Sequence, residues 1–257
     1  MWEEEKERYG KEIIEMLYEQ GMIKTWYRDK PDGWVLVSGL WSPFYIQLRP
    51  LSSCSNAKVL LTKIGKAMAG LLENEAPDVN KLVGVAAAGI PIAIVTTLFS
   101  GIPSCYTRRL QDVRTAANFQ ARISTYGEHS VVEGELHDGD VLAIVDDLVT
   151  KFDSKLVAFE QVKHEIRRRD QQLGRSLSIS VRHVVVLFDR EQGASHTAQA
   201  YGLRLHSLIP FRSKGVAWLK DKMSAREYEV ISDYLQDEAK YQGKEIQEQL
   251  AAQALHR

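Results

Sequence analysis

The chain has 257 residues, of which 44% are apolar and 26% are charged, and its formal net charge is −1. This is an ordinary globular composition, and the near-zero charge argues against a nucleic-acid or membrane partner. Two cysteines, Cys54 and Cys105, are too few for a disulfide framework or a four-cysteine zinc site, so we expect a reducing cytoplasm. The acidic N-terminus predicts neither a signal nor a transit peptide. No apolar run approaches the roughly 20 residues needed to span a bilayer.

The N-terminal part of the chain combines helices with short strands. Residues 2–21 carry an apolar stripe at helical spacing. Residues 34–37 and 44–48 are rich in β-branched and aromatic types and predict strands, with a break over Ser38–Pro43. A second helix is predicted over 56–74, started by Asn56.

From residue 82 onward, short apolar strands alternate with helical segments. The alternation predicts a parallel sheet covered by helices on both faces. Helices are expected over 91–99, over 154–169 and after Gly193, whereas 108–134 has no clear periodicity. The predicted strands cover 82–86, 104–107, 141–145, 184–188 and 203–208.

The C-terminal part is predicted to be helical, because Ser224–Glu227 forms a capping box ahead of apolar residues at helical spacing. Beyond about residue 240 the chain is polar and is expected to fray or to add a surface helix. No linker marks a second domain. The predicted organisation is one domain over 1–240 and a polar tail over 241–257. The domain is expected to comprise a hood (1–50), a core (55–212) and C-terminal helices (213–240).

The segment Val141–Asp147 carries the strongest functional signal, since an apolar run ends in two adjacent carboxylates. Such a run predicts a buried parallel strand that delivers acids to its carboxyl end, where open α/β sheets bind ligands. A turn over Leu148–Ser154 follows, and then a helix. Carboxylates can accept hydrogen bonds from ribose hydroxyls, and turn amides at a helix start can hold a phosphate. The alternative is that Asp146 and Asp147 only cap a helix or solvate a strand end.

Four segments, in this order, resemble those of the orotate phosphoribosyltransferases, and most closely the orotate domain of UMP synthases. The resemblance runs from about residue 10 to 235. The segments are the hairpin Ser38–Arg49, the pyrophosphate turn Gly89–Pro91, the phosphoribosyl-pyrophosphate (PRPP) motif Val145–Thr150, and the signature Asp189–Gly193 with Leu203–Ser207 beyond it.

The resemblance implies a type I phosphoribosyltransferase fold, an α/β architecture with a central parallel sheet of about five strands and a small N-terminal hood. It also implies transfer of ribose 5-phosphate from PRPP to orotate, giving orotidine 5′-monophosphate and pyrophosphate in UMP biosynthesis. Mg2+ is expected to bind through PRPP, with no direct protein ligand. The implied assembly is a homodimer in which a mobile loop of one subunit closes over the site of the other.

The resemblance also implies roles for individual residues. Departure of pyrophosphate builds negative charge that cations can stabilise, and a planar carboxylate suits a bidentate guanidinium. The implied catalytic residues are Arg109, Arg114, Arg122 and His129. The residues implied to bind PRPP are Asp146, Asp147, Thr150, Lys151, Ser154, Ala88 and Gly89. The residues implied to bind the base are Phe44, Tyr45 and Arg190.

The sequence departs from the family at three places. Val37 stands where the family usually has a lysine, and Phe152 stands at a glycine position of the PRPP loop. Phe152 is expected to be either an apolar plug over a vestigial site or a stacking surface for a different base. No lysine occurs between Lys81 and Lys151, so the mobile loop lacks the family's lysines and leaves arginines and His129 as its cations.

Three functional hypotheses follow. The first is an orotate phosphoribosyltransferase in which arginines replace the loop lysines. The second is a catalytically weak or inactive protein of the same fold that binds PRPP or a nucleotide in a regulatory role. The third is a transferase for another base, which the retained Phe44, Tyr45 and Arg190 argue against.

Overall fold

The computed structural model describes residues 1–36, 38–126 and 129–255, with the backbone alone at 125 and 126. Val37, which stands where the family usually has a lysine, lies outside these residues. The chain divides into two compact units, and each is described by itself. The first comprises Met1–Tyr9 and Leu61–Ile209, and the second Gly10–Leu60 and Pro210–Arg257.

The predicted helices and strands occur in the predicted order. The structure adds strands over Ile23–Thr25 and Val132–Glu133, a helix over Ala116–Arg122, and a strand over Trp41–Ser42 inside the predicted break. The helices are α1 (Trp2–Glu19), α2 (Ala57–Glu75), α3 (Gly89–Ser100), α4 (Ala116–Arg122), α5 (Asp153–Leu173), α6 (Ala194–Ala200), α7 (Val216–Trp218), α8 (Ala225–Gln236) and α9 (Lys244–Leu255). The strands are β1 (Ile23–Thr25), β2 (Trp34–Val35), β3 (Trp41–Ser42), β4 (Phe44–Ile46), β5 (Lys81–Gly84), β6 (Ser104–Thr107), β7 (Val132–Glu133), β8 (Val141–Val149), β9 (Ser180–Asp189) and β10 (Arg204–Pro210). In the described part of the chain, no helix has the length and apolar character to cross a membrane.

The first unit contains a six-stranded sheet in the order β10-β9-β8-β5-β6-β7. Strand β5 pairs in parallel with β6 and with β8, and β8 pairs in parallel with β9. The short edge strand β7 runs antiparallel to β6 and adds a sixth strand to the five that were expected. The predicted α/β fold with a mostly parallel sheet is therefore confirmed.

Helices cover both faces of this sheet, as the pleat of β5 shows. Val83 belongs to a buried cluster with Val162 of α5. The next residue, Gly84, packs closely against α3, because a Cβ added to it would lie 3.1 Å from Ala93. Since successive strand residues face opposite sides, α5 and α3 lie on opposite faces. The fully buried strand interior explains why the 141–145 run is continuously apolar.

The second unit holds the two small antiparallel pairs β1·β4 and β2·β3 and the C-terminal helices. Its core is aromatic, with the Phe44 ring 5.2 Å from Phe211 and 5.9 Å from Tyr234. Helix α8 begins with the predicted capping box, in which Ser224 accepts from the backbone N–H of Glu227 and the Glu227 side chain accepts from that of Ser224. The polar tail forms α9.

Candidate active site at the carboxyl edge of the sheet

The strand order of the first unit reverses between β5 and β8. The chain builds the sheet outward from β5 through β6 on one side and from β8 through β9 on the other. Gly84 pairs with Val145, so both strands end at the same edge. Ligands of open α/β sheets bind in the crevice outside such a switch point. The residues that follow β5 and the acids that end β8 are therefore brought together, as the sequence predicted.

The turn after β5 packs directly on the acid-bearing strand. A Cβ on Gly89 would lie 2.4 Å from the Val145 carbonyl oxygen and 3.0 Å from Asp146 Oδ1, so only glycine fits there. Gly89 is the first residue of α3, and Ala88 caps it. The Ala86 N–H donates to Thr107 Oγ1 at 3.1 Å, and the Ala86–Ala87 peptide is cis. The Gly89 N–H donates to the Val85 carbonyl oxygen at 2.9 Å. The start of α3 therefore lies at this edge, where the aligned peptide dipoles of a helix favour an anion.

The two acids differ in their surroundings. Asp146 is only 5% exposed, and its Oδ1 accepts from the Asp147 backbone N–H at 2.9 Å. Asp147 is partly buried. Burial and the neighbouring Asp146 carboxylate raise the pKa of Asp147 to about 7, against the opposing effect of the Lys155 ammonium. The Asp147 carboxyl is therefore protonated more readily than that of an exposed aspartate.

Lys155 is a site residue that the sequence analysis missed. It lies in the first turn of α5, is 2% exposed, and its Nζ donates to Asp146 Oδ2 at 2.6 Å. The same ammonium donates to the Leu148 carbonyl oxygen and to Ser154 Oγ. A lysine that follows two acids by eight or nine positions has no local signature, because the contact depends on the chain reversing between β8 and α5.

The turn between β8 and α5 contains Phe152 in the left-handed conformation, with φ +85°. Its side chain is 1% exposed and belongs to a buried cluster with Val149, Ala158 and Ala194. The ring is thus an apolar core residue. It offers no stacking surface, so the expected role in stacking on a base is wrong. The backbone adopts the positive φ that a glycine would favour. Thr150 is partly buried, and Lys151 is exposed.

The signature after β9 lies beside the end of β8. Asp189 pairs with Val149, and the Arg190 N–H donates to the Val149 carbonyl oxygen at 3.1 Å. Arg190 is 7% exposed. Burial raises the pKa of Asp189 above its usual range, and its Oδ1 accepts from the Glu191 N–H at 2.7 Å. The structure places Arg190 at the same sheet edge as the acid pair.

The four implied catalytic cations lie on the surface of the first unit. Arg109, Arg114, Arg122 and His129 are all exposed. Arg122 forms an ion pair of 3.5 Å with Asp112, which is also exposed. Their catalytic roles stay predictions.

The segment without clear periodicity is more ordered than its sequence indicates. Thr115 caps α4 by accepting from the Asn118 N–H at 3.1 Å. Phe119 is fully buried, and its ring meets His164 of α5 edge-on at 6.1 Å. One aromatic side chain therefore fixes the segment that carries the cations onto α5.

The implied base-binding residues of the hairpin lie in the second unit. Phe44 is fully buried in the aromatic core of that unit. Tyr45 is exposed, and its ring stacks on Trp34 with centroids 6.1 Å apart. The assignment of these two residues to the base stays a prediction.

Sequence comparisons identify relatives of one functional class. No family model matches the chain. It is 27% identical to uridine 5′-monophosphate synthase of Bos taurus over 206 residues, covering 80% of this chain and 37% of that protein. It is also 27% identical to orotate phosphoribosyltransferase of Methanopyrus kandleri over 197 residues, covering 77% of this chain and 87% of that protein. The chain thus spans little more than a third of the bovine relative.

Solved structures share the fold. UMP synthase of Leishmania donovani superposes with a TM-score of 0.67 at 20% identity, over 88% of this chain and 42% of that one. Orotate phosphoribosyltransferase of Aeropyrum pernix superposes with a TM-score of 0.54 at 22% identity, over 82% of this chain and 97% of that one. The chain is therefore similar in sequence to orotate phosphoribosyltransferases and to the UMP synthases, and it has the type I phosphoribosyltransferase fold.

Proposed function

We propose that this chain transfers ribose 5-phosphate from PRPP to N1 of orotate, releasing pyrophosphate and forming orotidine 5′-monophosphate for UMP synthesis. One observation carries the proposal. The Gly89 turn packs against Asp146 at the switch point of the sheet, and the turn into α5 follows the acids directly. Two anion-suited helix starts thus flank a pair of carboxylates, as a sugar carrying phosphates at both ends requires.

PRPP is proposed to lie along this edge with its three parts held separately. The turn amides and hydroxyls from Thr150 to Ser154, with Lys151, bind the 5′-phosphate at the start of α5. The acid pair Asp146 and Asp147 forms the ribose part of the site, and at least one of the two carboxylates accepts from the ribose hydroxyls. The backbone of Ala88 and Gly89 binds the pyrophosphate at the start of α3, where the aligned peptide dipoles favour negative charge.

Orotate is proposed to be oriented by Arg190. Its guanidinium can bind the planar carboxylate of orotate through two parallel hydrogen bonds, which a base lacking a carboxylate could not match. Phe44 and Tyr45 are proposed to flank the base. The Asp189 carboxyl fixes the turn that carries Arg190 by accepting from the Glu191 N–H.

The departing pyrophosphate must be stabilised by cations. Arg109, Arg114 and Arg122 are proposed to do so electrostatically, and His129 is proposed to act as a general acid. In the described residues no group of three or more His, Cys, Asp or Glu side chains is placed to hold a metal ion. The proposed Mg2+ would bind PRPP oxygens, the hard ligands it prefers, where it would offset the charge of pyrophosphate.

A homodimer with loop exchange is proposed as the working form. Helix α3 exposes Ile94, Leu98 and Phe99, which are 50%, 75% and 42% exposed. An apolar surface of this kind on one helix supports a self-association face. We expect Leu98→Glu to shift the protein to monomers in sedimentation, whereas Leu255→Glu, at an exposed leucine of α9, leaves the distribution unchanged. The free thiols of Cys54 and Cys105 support a cytoplasmic location.

The test is conversion of orotate by purified protein with PRPP and Mg2+, followed as loss of orotate absorbance. Arg190→Lys keeps the charge but loses the bidentate geometry, so we expect KM for orotate to rise about tenfold or more. Arg167→Lys, at an exposed arginine of α5, is the matched control and leaves KM unchanged. Absence of orotate loss at high protein concentration, with PRPP binding still measurable by calorimetry, would contradict the enzyme and favour a regulatory binding protein.

A further inference from the structure

The Lys155 ammonium joins three points of the segment that connects β8 to α5. It donates to the side chain of Asp146, to the carbonyl oxygen of Leu148 and to the hydroxyl of Ser154. An ammonium group has three hydrogen-bond donors, so all of them are used inside the protein. Lys155 therefore cannot donate to an incoming phosphate unless one of these hydrogen bonds breaks.

Asp146 is equally committed to the protein. Its Oδ2 accepts from Lys155 and its Oδ1 accepts from the backbone N–H of Asp147. The backbone of Gly89 lies against the same Oδ1. With 5% of the residue exposed, little of this carboxylate is accessible to a sugar hydroxyl.

Asp147 is placed differently. It is less buried than Asp146, and its carboxylate forms no ion pair with Lys155, whose short contact is to Asp146. Asp147 also follows Asp146 on the strand that ends at the ligand-binding edge. Of the two acids, it is the one whose oxygens can be offered to a ligand.

We propose that Lys155 is a positioning residue that holds Asp146 as an internal support of the PRPP turn, and that Asp147 alone contacts the ribose hydroxyls. This inference rests on the proposed function, because it assigns the parts of the same site. Phe152 occupies this turn where the family has a glycine, and the lysine ties strand, turn and helix together. Removing the lysine leaves a buried carboxylate without its counter-charge, whereas removing both charges does not.

The experiment is a double-mutant cycle on affinity for PRPP, measured by calorimetry with Mg2+, alongside KM for PRPP and for orotate. We expect Asp147→Asn to weaken PRPP binding about tenfold or more in every background, as for one lost hydrogen bond to a charged group. Lys155→Met should raise KM for PRPP and leave KM for orotate unchanged. Asp146→Asn should weaken PRPP binding when Lys155 is present and have little effect in the Lys155→Met background.

Controls separate positioning from loss of folding. Lys58→Met, at an exposed lysine of α2, removes the same charge and should leave both KM values unchanged. If Lys155→Met alone does not fold, the double variant Lys155→Met/Asp146→Asn replaces it, because it leaves no unpaired buried charge. That variant is expected to bind PRPP more tightly than the Asp147→Asn variant does.

Three outcomes overturn the inference. Asp146→Asn weakening PRPP binding equally with and without Lys155 would make Asp146 a direct ligand. Unchanged affinity in Asp147→Asn would remove the proposed contact. A double variant that binds PRPP as weakly as Asp147→Asn would show that both acids are needed. A wild-type protein that neither binds PRPP nor consumes orotate would instead refute the proposed function itself.

Discussion

Phe152 combines two opposing contributions to stability. Its φ of +85° is unfavourable for a residue with a Cβ, at a cost of roughly 1–2 kcal/mol. Its ring is buried among Val149, Ala158 and Ala194, and truncating a buried phenylalanine to alanine typically costs about 3–5 kcal/mol. The packing contribution exceeds the backbone cost, which explains how a bulky residue is tolerated where a glycine is expected.

Two variants separate these contributions. Phe152→Ala loses the ring but keeps a Cβ at positive φ, so we expect a loss of about 3–5 kcal/mol. Phe152→Gly also loses the ring, but it removes the backbone cost of a Cβ at positive φ. The greater freedom of glycine in the unfolded chain offsets part of this gain, by about 0.4–1 kcal/mol. The glycine variant should therefore be more stable than the alanine variant by roughly 0.5–1 kcal/mol.

The measurement is urea unfolding followed by circular dichroism, with thermal melting as a second observable. At about 2–4 °C per kcal/mol for a unit of 150–250 residues, Phe152→Ala should melt roughly 6–20 °C below the wild type. Phe152→Leu is the matched control, since it keeps an apolar side chain and the Cβ. An alanine variant as stable as the glycine variant would refute the left-handed backbone. Two variants within about 1 kcal/mol of the wild type would refute the burial of the ring.

Three further predictions concern other parts of the molecule. Although burial alone would raise it, hydrogen bonds from His206, Lys6 and Trp2 lower the pKa of Glu75 from 4.5 to about 2. The stabilisation by the Glu75 carboxylate is therefore complete above pH 4.5 and is lost as pH falls towards 2. At pH 6 the unfolding free energies of the wild type and Glu75→Gln should differ by up to roughly 3 kcal/mol. The two values should converge near pH 2. Phe119→Ala should release α4 and speed its cleavage by trypsin, and an unchanged cleavage rate would contradict its anchoring role. Burial raises the pKa of the Cys105 thiol to about 11, so a thiol reagent should label Cys54 first in the native protein, whereas equal labelling rates would count against that burial.

Much of the fold follows from local patterns. The apolar run 141–145 predicted a buried strand because a parallel strand covered on both faces needs apolar residues at every position. The capping box at Ser224 predicted the start of α8 because its two hydrogen bonds join residues only three apart. The alternation of strands and helices after residue 82 indicated the parallel sheet, and hence the edge at which Gly89 and Asp146 meet.

The segment 108–134 was not predictable in the same way. Its helix α4 is short, and the residue that fixes it, Phe119, packs on His164 of a different helix. A seven-residue helix gains little from its own hydrogen bonds, so its stability depends on tertiary packing. No periodicity within the segment could therefore reveal it.

The sequence by itself determined the elements, their order and the sheet edge that carries the acids, because hydrophobic period, caps and turns act between residues close in the chain. Tertiary structure alone decided which charges meet there. Lys155 reaches Asp146 because the chain reverses at Phe152, and a buried charge is stable only where folding supplies its counter-charge. That pairing separates Asp146 from Asp147, although in the sequence the two are adjacent and chemically identical.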